Sequence, residues 1–480
     1  MMRILDMIED WWVRRTYRHA ERFLTSAPAE RIAAHGHRRA LEVFRLAART
    51  VPAYRRRLEA AGLRPEAVTT IDQFRSLVPI LDKSTVFGAH PLRDLCFGGS
   101  LDDAAFFHSS SGASGAFSFG VGTRAGTARA ATGVEFILDI NFDIFKRRTL
   151  LINALPMGVR IPTRTLAVAD AGIRADVVGA LVKGLADDFD QFILVGEHLL
   201  LKKAIEEGAD SGIPWRNLVV HVVTGGEFIS ETFRTYLGHL LGTDSDTPGR
   251  GRIMLNMGLS ELTLSIFQDT RHTMRIRRAA QEDQPLRYAL FGEGTAVCPE
   301  IMQYNPTRTY LETVPDAAGR PELVVSLFGP DLVLPLIRYN THDIVGLMDY
   351  ATLSSILRKH GRGDLIPPAH LPVGLIRGKD QAVDLGPADR ISVVDVKEAL
   401  YRDFDVAGRV TGFFRLMKEQ GRAVLVVQLR GGRAAAQGSA DSLGRCLAEL
   451  TPCPVEVRLV PYEGYPYSFD LNYEVKPRYI

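Results

Sequence analysis

Phe106-Phe-His-Ser-Ser-Ser-Gly-Ala-Ser-Gly-Ala-Phe-Ser-Phe-Gly120 is the stretch on which the reading of this chain turns. Ala105 to Phe107 read as the end of a buried strand, after which the chain turns through Ser109 to Gly115. Gly112 and Gly115 permit backbone angles that other residues resist and let main-chain N–H groups approach a ligand closely. Ser110, Ser111 and Ser114 add hydroxyl donors, so the loop is suited to wrapping an anion such as the phosphates of a nucleotide. It is not a Walker A loop, because no Gly-Lys-Ser/Thr closes it. Taken alone, a Ser/Gly-rich loop reads first as a flexible surface connection, so the phosphate reading needs agreement elsewhere in the chain.

The totals exclude several classes. With 480 residues, 46% of them hydrophobic, the chain can bury the cores of two or three domains. Its 58 Lys+Arg stand against 56 Asp+Glu, too even for a general nucleic-acid surface. No run of 18 apolar residues predicts a membrane span. The opening Met-Met-Arg-Ile-Leu-Asp-Met-Ile-Glu-Asp-Trp-Trp places acids among its apolar positions, unlike a secretion signal. A cytoplasmic protein is therefore expected. Cys96, Cys298, Cys446 and Cys453 lack metal-ligand spacing and read as free thiols. The twelve histidines form no His-Glu-x-x-His pattern.

Residues 1 to 62 carry helical periodicity, first at Ile4, Leu5, Ile8, Trp11 and Trp12, then at Leu41, Phe44, Leu46 and Ala47. From about 148 to 228, apolar strands (149–153, 191–195, 218–224) alternate with helices. This is the signature of an α/β fold with mainly parallel strands, in which ligands sit at the carboxyl ends of strands. Ser110, Gly225 and the Gly258 region each follow such a strand, which suggests one shared site. Residues 286–291, 300–304, 322–328 and 336–340 read as further strands, and Arg275, Arg277 and Arg278 as an exposed basic strip. Beyond Pro367-Pro368, strands at 383–394, 410–416, 423–429 and 455–460 alternate with helices near 395–404 and 437–450. That is a compact α+β unit of about a hundred residues. The expected fold is therefore α/β, with a large multi-sheet body over 1–375 (a helical lead-in over 1–90) and a small mobile unit over 376–480.

Five short motifs then fall in order. His108-Ser-Ser-Ser-Gly-Ala-Ser-Gly115 resembles the phosphate loop of adenylate-forming ligases, specifically His-x-Ser-Ser-Gly-Thr-Thr-Gly of the phenylacetate-CoA ligase branch. Val223-Thr-Gly-Gly-Glu227 resembles that branch's Gly-Ala-Glu strand, and Asn256-Met-Gly-Leu-Ser-Glu261 its Tyr-Gly-Leu-Ser-Glu motif. Arg338-Tyr-Asn-Thr-His-Asp343 resembles Arg-Tyr-Arg-Thr-x-Asp, and Ile376-Arg-Gly-Lys-Asp380 sits where a Gly-Arg-x-Asp hinge is expected. Arg49-Thr-Val-Pro-Ala-Tyr-Arg55 and Leu77-Val-Pro-Ile-Leu-Asp-Lys83 fit the same branch's approach. The resemblance covers the chain after about residue 40.

The resemblance implies activation of a carboxylic acid, aryl or otherwise apolar, by ATP and Mg²⁺ as an acyl-adenylate, with transfer to a thiol such as CoA. Ser110, Ser111, Gly112, Ser114 and Gly115 would hold the β and γ phosphates. Glu261, after Gly258 and Ser260, would ligate Mg²⁺, a hard ion that prefers oxygen. Asp343 would accept both ribose hydroxyls. Gly225, Gly226 and Glu227 would line the adenine, with Met257 standing for the usual aromatic on the purine face. Asp380 would be the hinge carboxylate, and Lys476, in Glu474-Val-Lys-Pro-Arg478, the C-terminal lysine of adenylation. His198, Phe228 and the 151–157 stretch are possible walls of the acid pocket.

The sequence also departs from the pattern. Ala113-Ser114 replaces Thr-Thr, Phe117 replaces Pro, and Ser118 stands where many superfamily members carry Lys. Lys379 replaces the hinge Arg, and no Gly precedes Lys476. Two alternatives stay open: transfer to an amine or a carrier protein without CoA, or a degenerate member that binds nucleotide or acyl ligand without catalysis. The reading involves neither nucleic acid nor membrane and admits a homodimer.

Overall fold

The computed structural model describes residues 15–109, 117–243, 247, 249–259, 265–379, 381–386, 389–467 and 473–480. Ser110, Ser111, Gly112, Ser114, Gly115, Ser260, Glu261, Asp380 and the Trp11-Trp12 pair lie outside the described residues.

Ile4, Leu5 and Ile8 also lie outside the described residues; within them, residues 15–26, Ala29–Thr50 and Pro52–Ala60 are helices. Ile32, Gly36, Ala40, Val43, Phe44 and Ala47 recur every three or four positions and form the buried face of the second. Phe44 meets Tyr54 and Phe74 edge to face, and Phe74 meets Tyr310, which ties the lead-in to the body.

The first strands, β1 (Phe106–Ser109) and β2 (Phe119–Gly122), form a two-stranded antiparallel ribbon. The expected buried strand at 105–107 is thus corrected. Phe106 and Phe107 are 43% and 55% exposed, because a ribbon outside the main sheet has no layer to cover its faces.

Next come β3 (Thr149–Ala154), β4 (Ala167–Asp170), β5 (Gln191–Glu197), β6 (Val220–Gly225) and β7 (Ile253–Met257). They pair in parallel, in the order β7-β6-β5-β3-β4. Thr149-Leu-Leu-Ile-Asn-Ala154 is buried at every position, as a strand covered on both faces must be.

The sheet then changes character. β8 (Phe267–Gln268), β9 (Glu300–Tyr304), β10 (Thr309–Pro315), β11 (Pro321–Leu327), β12 (Tyr339–Met348) and β13 (Val373–Gly378) extend it antiparallel. The whole order is β10-β11-β12-β13-β9-β8-β7-β6-β5-β3-β4, eleven strands. Two expectations fail here. Residues 286–291 belong to the Gln284–Phe291 helix, whose Asp283 cap and Pro285 outweigh the apolar run. The strand expected at 336–340 begins only at Tyr339, since Arg338 has a positive φ of 48°.

After β13 the chain leaves the large sheet. β14 (Ala382–Asp384) and β15 (Arg390–Ser392) make a hairpin, so the strand expected over 383–394 is two short ones followed by the Val393–Ala399 helix. β16 (Val410–Glu419) and β17 (Arg422–Leu429) are antiparallel. β18 (Val455–Val460) lies parallel to β17 after the Ser439–Ala448 helix crosses over. The α/β class, with a large mixed sheet and a small C-terminal one, matches the expectation.

The C-terminal unit rests on the His198–Asp210 and Glu231–Leu241 helices through a charge network whose centre, Lys202 and Glu206, is buried. Lys202, with no exposed surface, donates to Glu206 (2.7 Å) and to the Val410 carbonyl (2.6 Å). Tyr236 donates to the same carboxylate at 2.6 Å, and Arg430 reaches both Glu206 (3.3 Å) and Asp210 (2.8 Å). Burial pushes the Lys202 ammonium below its ordinary pKa, partly offset by Glu206.

Candidate active site

The motif that ends β6 forms a tight place in the fold. Gly225 pairs with Asn256 of β7, and a Cβ at Gly225 would lie only 1.8 Å from the Asn256 carbonyl oxygen. Only glycine allows the two strand ends to come this close. Gly226 follows at φ +97°, and a Cβ there would meet no atom of the described residues within 4 Å. Among the described residues the turn is thus packed at Gly225 and open at Gly226. Thr224 steadies it by donating to the Gly196 carbonyl at 2.9 Å. Gly225→Ala is expected to destabilise the fold by about 1–3 kcal/mol through overpacking. Urea unfolding would measure it, and an unchanged midpoint would refute the tight approach.

Other motifs converge on the same edge. Met257 ends β7, half-buried, with Gly258 directly behind it. Gly378, at the end of β13, lies against Phe228: a Cβ on it would sit 3.5 Å from that of Phe228. Gly378 in turn pairs with Ile344, the neighbour of Asp343 on β12. Asp343 is buried, and its amide donates to Thr341 Oγ1 at 3.2 Å. The adjoining His342 has φ +58° and sets its ring on Glu322, 3.1 Å away. The structure thus brings Gly225, Gly226, Glu227, Met257, Gly258 and the Asp343 strand to one end of the sheet.

Glu227 is engaged rather than open. It accepts from Tyr479 Oη at 2.6 Å, lies 3.2 Å from His198 Nε2 and is 3.1 Å from Lys397 Nζ. The other imidazole nitrogen of His198 contacts Glu197. Burial pushes the Glu227 carboxyl up, but Lys397, His198 and the Tyr479 hydroxyl together hold it below its ordinary value. Tyr479 is raised well above its own, by burial and then by Glu227.

Glu197, His198 and Glu227 bring ligand-type atoms within 4.8 Å of one another, close enough to suggest a metal. The donor set argues against it, because the Lys397 ammonium already supplies the positive charge beside Glu227. His198 and Phe228, expected as possible walls of an acid pocket, line with Phe233, Lys397, Tyr401 and Tyr479 a void of about 10 Å³, too small to hold an acid. The 151–155 stretch instead fills the core, with Leu151 packed among Leu138, Phe142, Val195 and Val223. Met157 is exposed.

Two basic groups lie elsewhere than expected. Lys476 is exposed on the C-terminal tail, and the lysine of that unit at the motif turn is Lys397. The strip Arg275, Arg277 and Arg278 is helical, within Arg271–Glu282, and Arg277 is buried. It lies 3.6 Å from Glu231 and donates to the Ile229 and Cys298 carbonyls, so it supports the turn from behind. The sequence held one signal for Lys397. It adjoins Val393, Val396 and Leu400, a helical stripe that marks its neighbourhood as core.

Neither a protein-family model nor a curated protein matches this chain. Solved structures do. A 2-hydroxyisobutyryl-CoA ligase in the postadenylation state, in complex with R3-HIB-AMP, superposes with a TM-score of 0.66 at 16% identity, covering 92% of this chain and 89% of that one. The same ligase with 2-HIB-AMP and CoA, in the thioesterification state, gives 0.55 at 16% identity over 95% and 92%. At this identity the likeness is one of fold alone. No helix among the described residues is long and apolar enough to cross a membrane.

Proposed function

We propose that this chain activates an apolar, aryl-type carboxylic acid as its acyl-adenylate, using ATP and Mg²⁺, and passes the acyl group to a thiol, most simply CoA. One observation carries the reading. In a chain with the adenylate-forming fold, the Gly225–Gly226 turn, the Met257-Gly258 strand end and the Asp343 strand meet at one edge of the sheet. The open face of Gly226 suits the adenine, and the Met257 thioether is assigned to the purine face on motif order. Asp343 is the acceptor-only group for the ribose hydroxyls. Ser110, Ser111, Gly112, Ser114 and Gly115 are assigned to the phosphates, and Glu261 with Ser260 to Mg²⁺, on motif order. When bound, the metal would neutralise charge on the phosphoryl oxygens. The small unit beyond the 376–380 segment, with Asp380 and Lys476, is assigned the motion between the two half-reactions. The neighbouring ligase, solved with 2-HIB-AMP and with CoA, supports this at the level of fold.

The exposure of Lys476 favours a second reading, in which nucleotide and acyl ligand bind without adenylation. Exchange of pyrophosphate into ATP across a panel of aryl and short-chain acids separates the two. Acid-dependent exchange that disappears in Glu261→Ala is the expected result. Nucleotide binding with no exchange for any acid would move the assignment to the second reading.

A further inference from the structure

We propose that Lys397 and Tyr479 form a latch through which nucleotide at the Gly225–Gly226 turn and seating of the C-terminal unit stabilise each other. The proposal rests on the nucleotide reading above and deepens it by adding two positioning residues from the other side of the molecule.

The segment just after the turn is gripped at successive residues. Lys397 Nζ lies 3.1 Å from the Glu227 carboxylate and donates to the Phe228 carbonyl, also at 3.1 Å. Ser230 Oγ donates to the Lys397 carbonyl at 3.0 Å, and Thr232 Oγ1 to the Glu398 carbonyl at 2.8 Å. Tyr479 completes the grip: its hydroxyl donates to Glu227 at 2.6 Å, and its ring lies 4.5 Å below the Lys397 ammonium. The Tyr479 carbonyl accepts from Leu416 of β16 at 2.7 Å, so the tail is anchored in the small sheet.

Lys397 and Tyr479 are buried, and Glu227 keeps its full set of partners only while the C-terminal unit is seated. If it lifts away, Glu227 loses its ammonium and its hydroxyl donor together, and the turn loses the contacts that fix Phe228 and Ser230. A ligand that needs the turn in its present shape therefore favours the seated form, and by linkage the seated form favours the ligand. His198 stays on Glu227 in either case, since both belong to the large body.

The test uses the full chain with AMP as the probe. Calorimetry on wild type and on Tyr479→Phe, which removes one hydroxyl only, should show AMP binding weakened about 5–100-fold in the variant. Hydrogen exchange on the wild type needs no variant: AMP should slow exchange at 220–230 and also at 393–399 and 473–480. A folded Tyr479→Phe protein with the wild-type affinity would overturn the latch. So would protection of 220–230 alone. If wild type binds no AMP, the nucleotide reading falls, and the latch with it.

Discussion

Arg338→Ala is expected to cost about 3–5 kcal/mol of folding free energy, the range for removing one partner of a buried ion pair. The Arg338 guanidinium forks onto Glu312, at 2.8 and 3.1 Å, and also donates to the Val78 carbonyl. Its own amide donates to Ser326 Oγ at 2.9 Å, and its carbonyl accepts from Leu81 at 2.9 Å. One residue thus clamps β10, β11, the start of β12 and the end of the lead-in. The alanine variant would leave the Glu312 carboxylate buried without its counter-charge, and that isolation outweighs the loss of the contacts themselves. Urea unfolding should show a lower midpoint. The paired change R338M/E312L should recover much of the loss, because it leaves no orphan charge behind. A single-variant cost below about 1 kcal/mol would rule out the clamp.

The second large effect is one of pH. Burial raises the Glu300 carboxyl to about 7, partly offset by Arg277 and by the Ile229 amide, which donates to it at 2.7 Å. The folded protein therefore holds this proton more tightly than the unfolded chain does. The stability this one group contributes is fully present below the unfolded value near 4.5 and is lost as pH rises to about 7, by about 3 kcal/mol at roughly 1.4 kcal/mol per unit. Asp269, buried nearby and also raised, acts in the same direction. Glu300→Gln keeps an acceptor for Ile229 and removes the titration. The variant should match wild type near pH 5, exceed it at pH 8 and flatten the profile between. Equal slopes in both proteins would show that Glu300 ionises normally.

The parallel half of the sheet was legible because its strands are continuous apolar runs, which only a doubly covered layer accepts. The motif turns were legible for a related reason. Gly225 and Gly226 are demanded by backbone geometry, and that requirement shows in the chain itself. Other features depend on partners far away in sequence. Apolar Leu286 to Phe291 reads equally as strand or helix, and the cap at Asp283 decides for helix. Arg277 looks like surface charge until Glu231 and two carbonyls close around it. Phe106 and Phe107 look like core because nothing local says that the ribbon has no covering layer. Lys397 was hidden in the same way, since its meaning lies 170 residues away in Glu227. Of the phosphate and metal residues, the sequence motifs remain the whole basis.

The contact between Val78 and Arg338 also constrains how the chain comes to be folded. Its two ends are 260 residues apart. A ribosome adding about 5–20 residues per second needs roughly 10–50 s to deliver the second after the first. During that interval the lead-in helices, with Phe44, Tyr54 and Phe74 already made, have no Tyr310 or Arg338 to close on. Their apolar faces stay available to other chains for all that time. Production of this protein should therefore be limited by what shields its first eighty residues during synthesis, and slower translation should lower its yield.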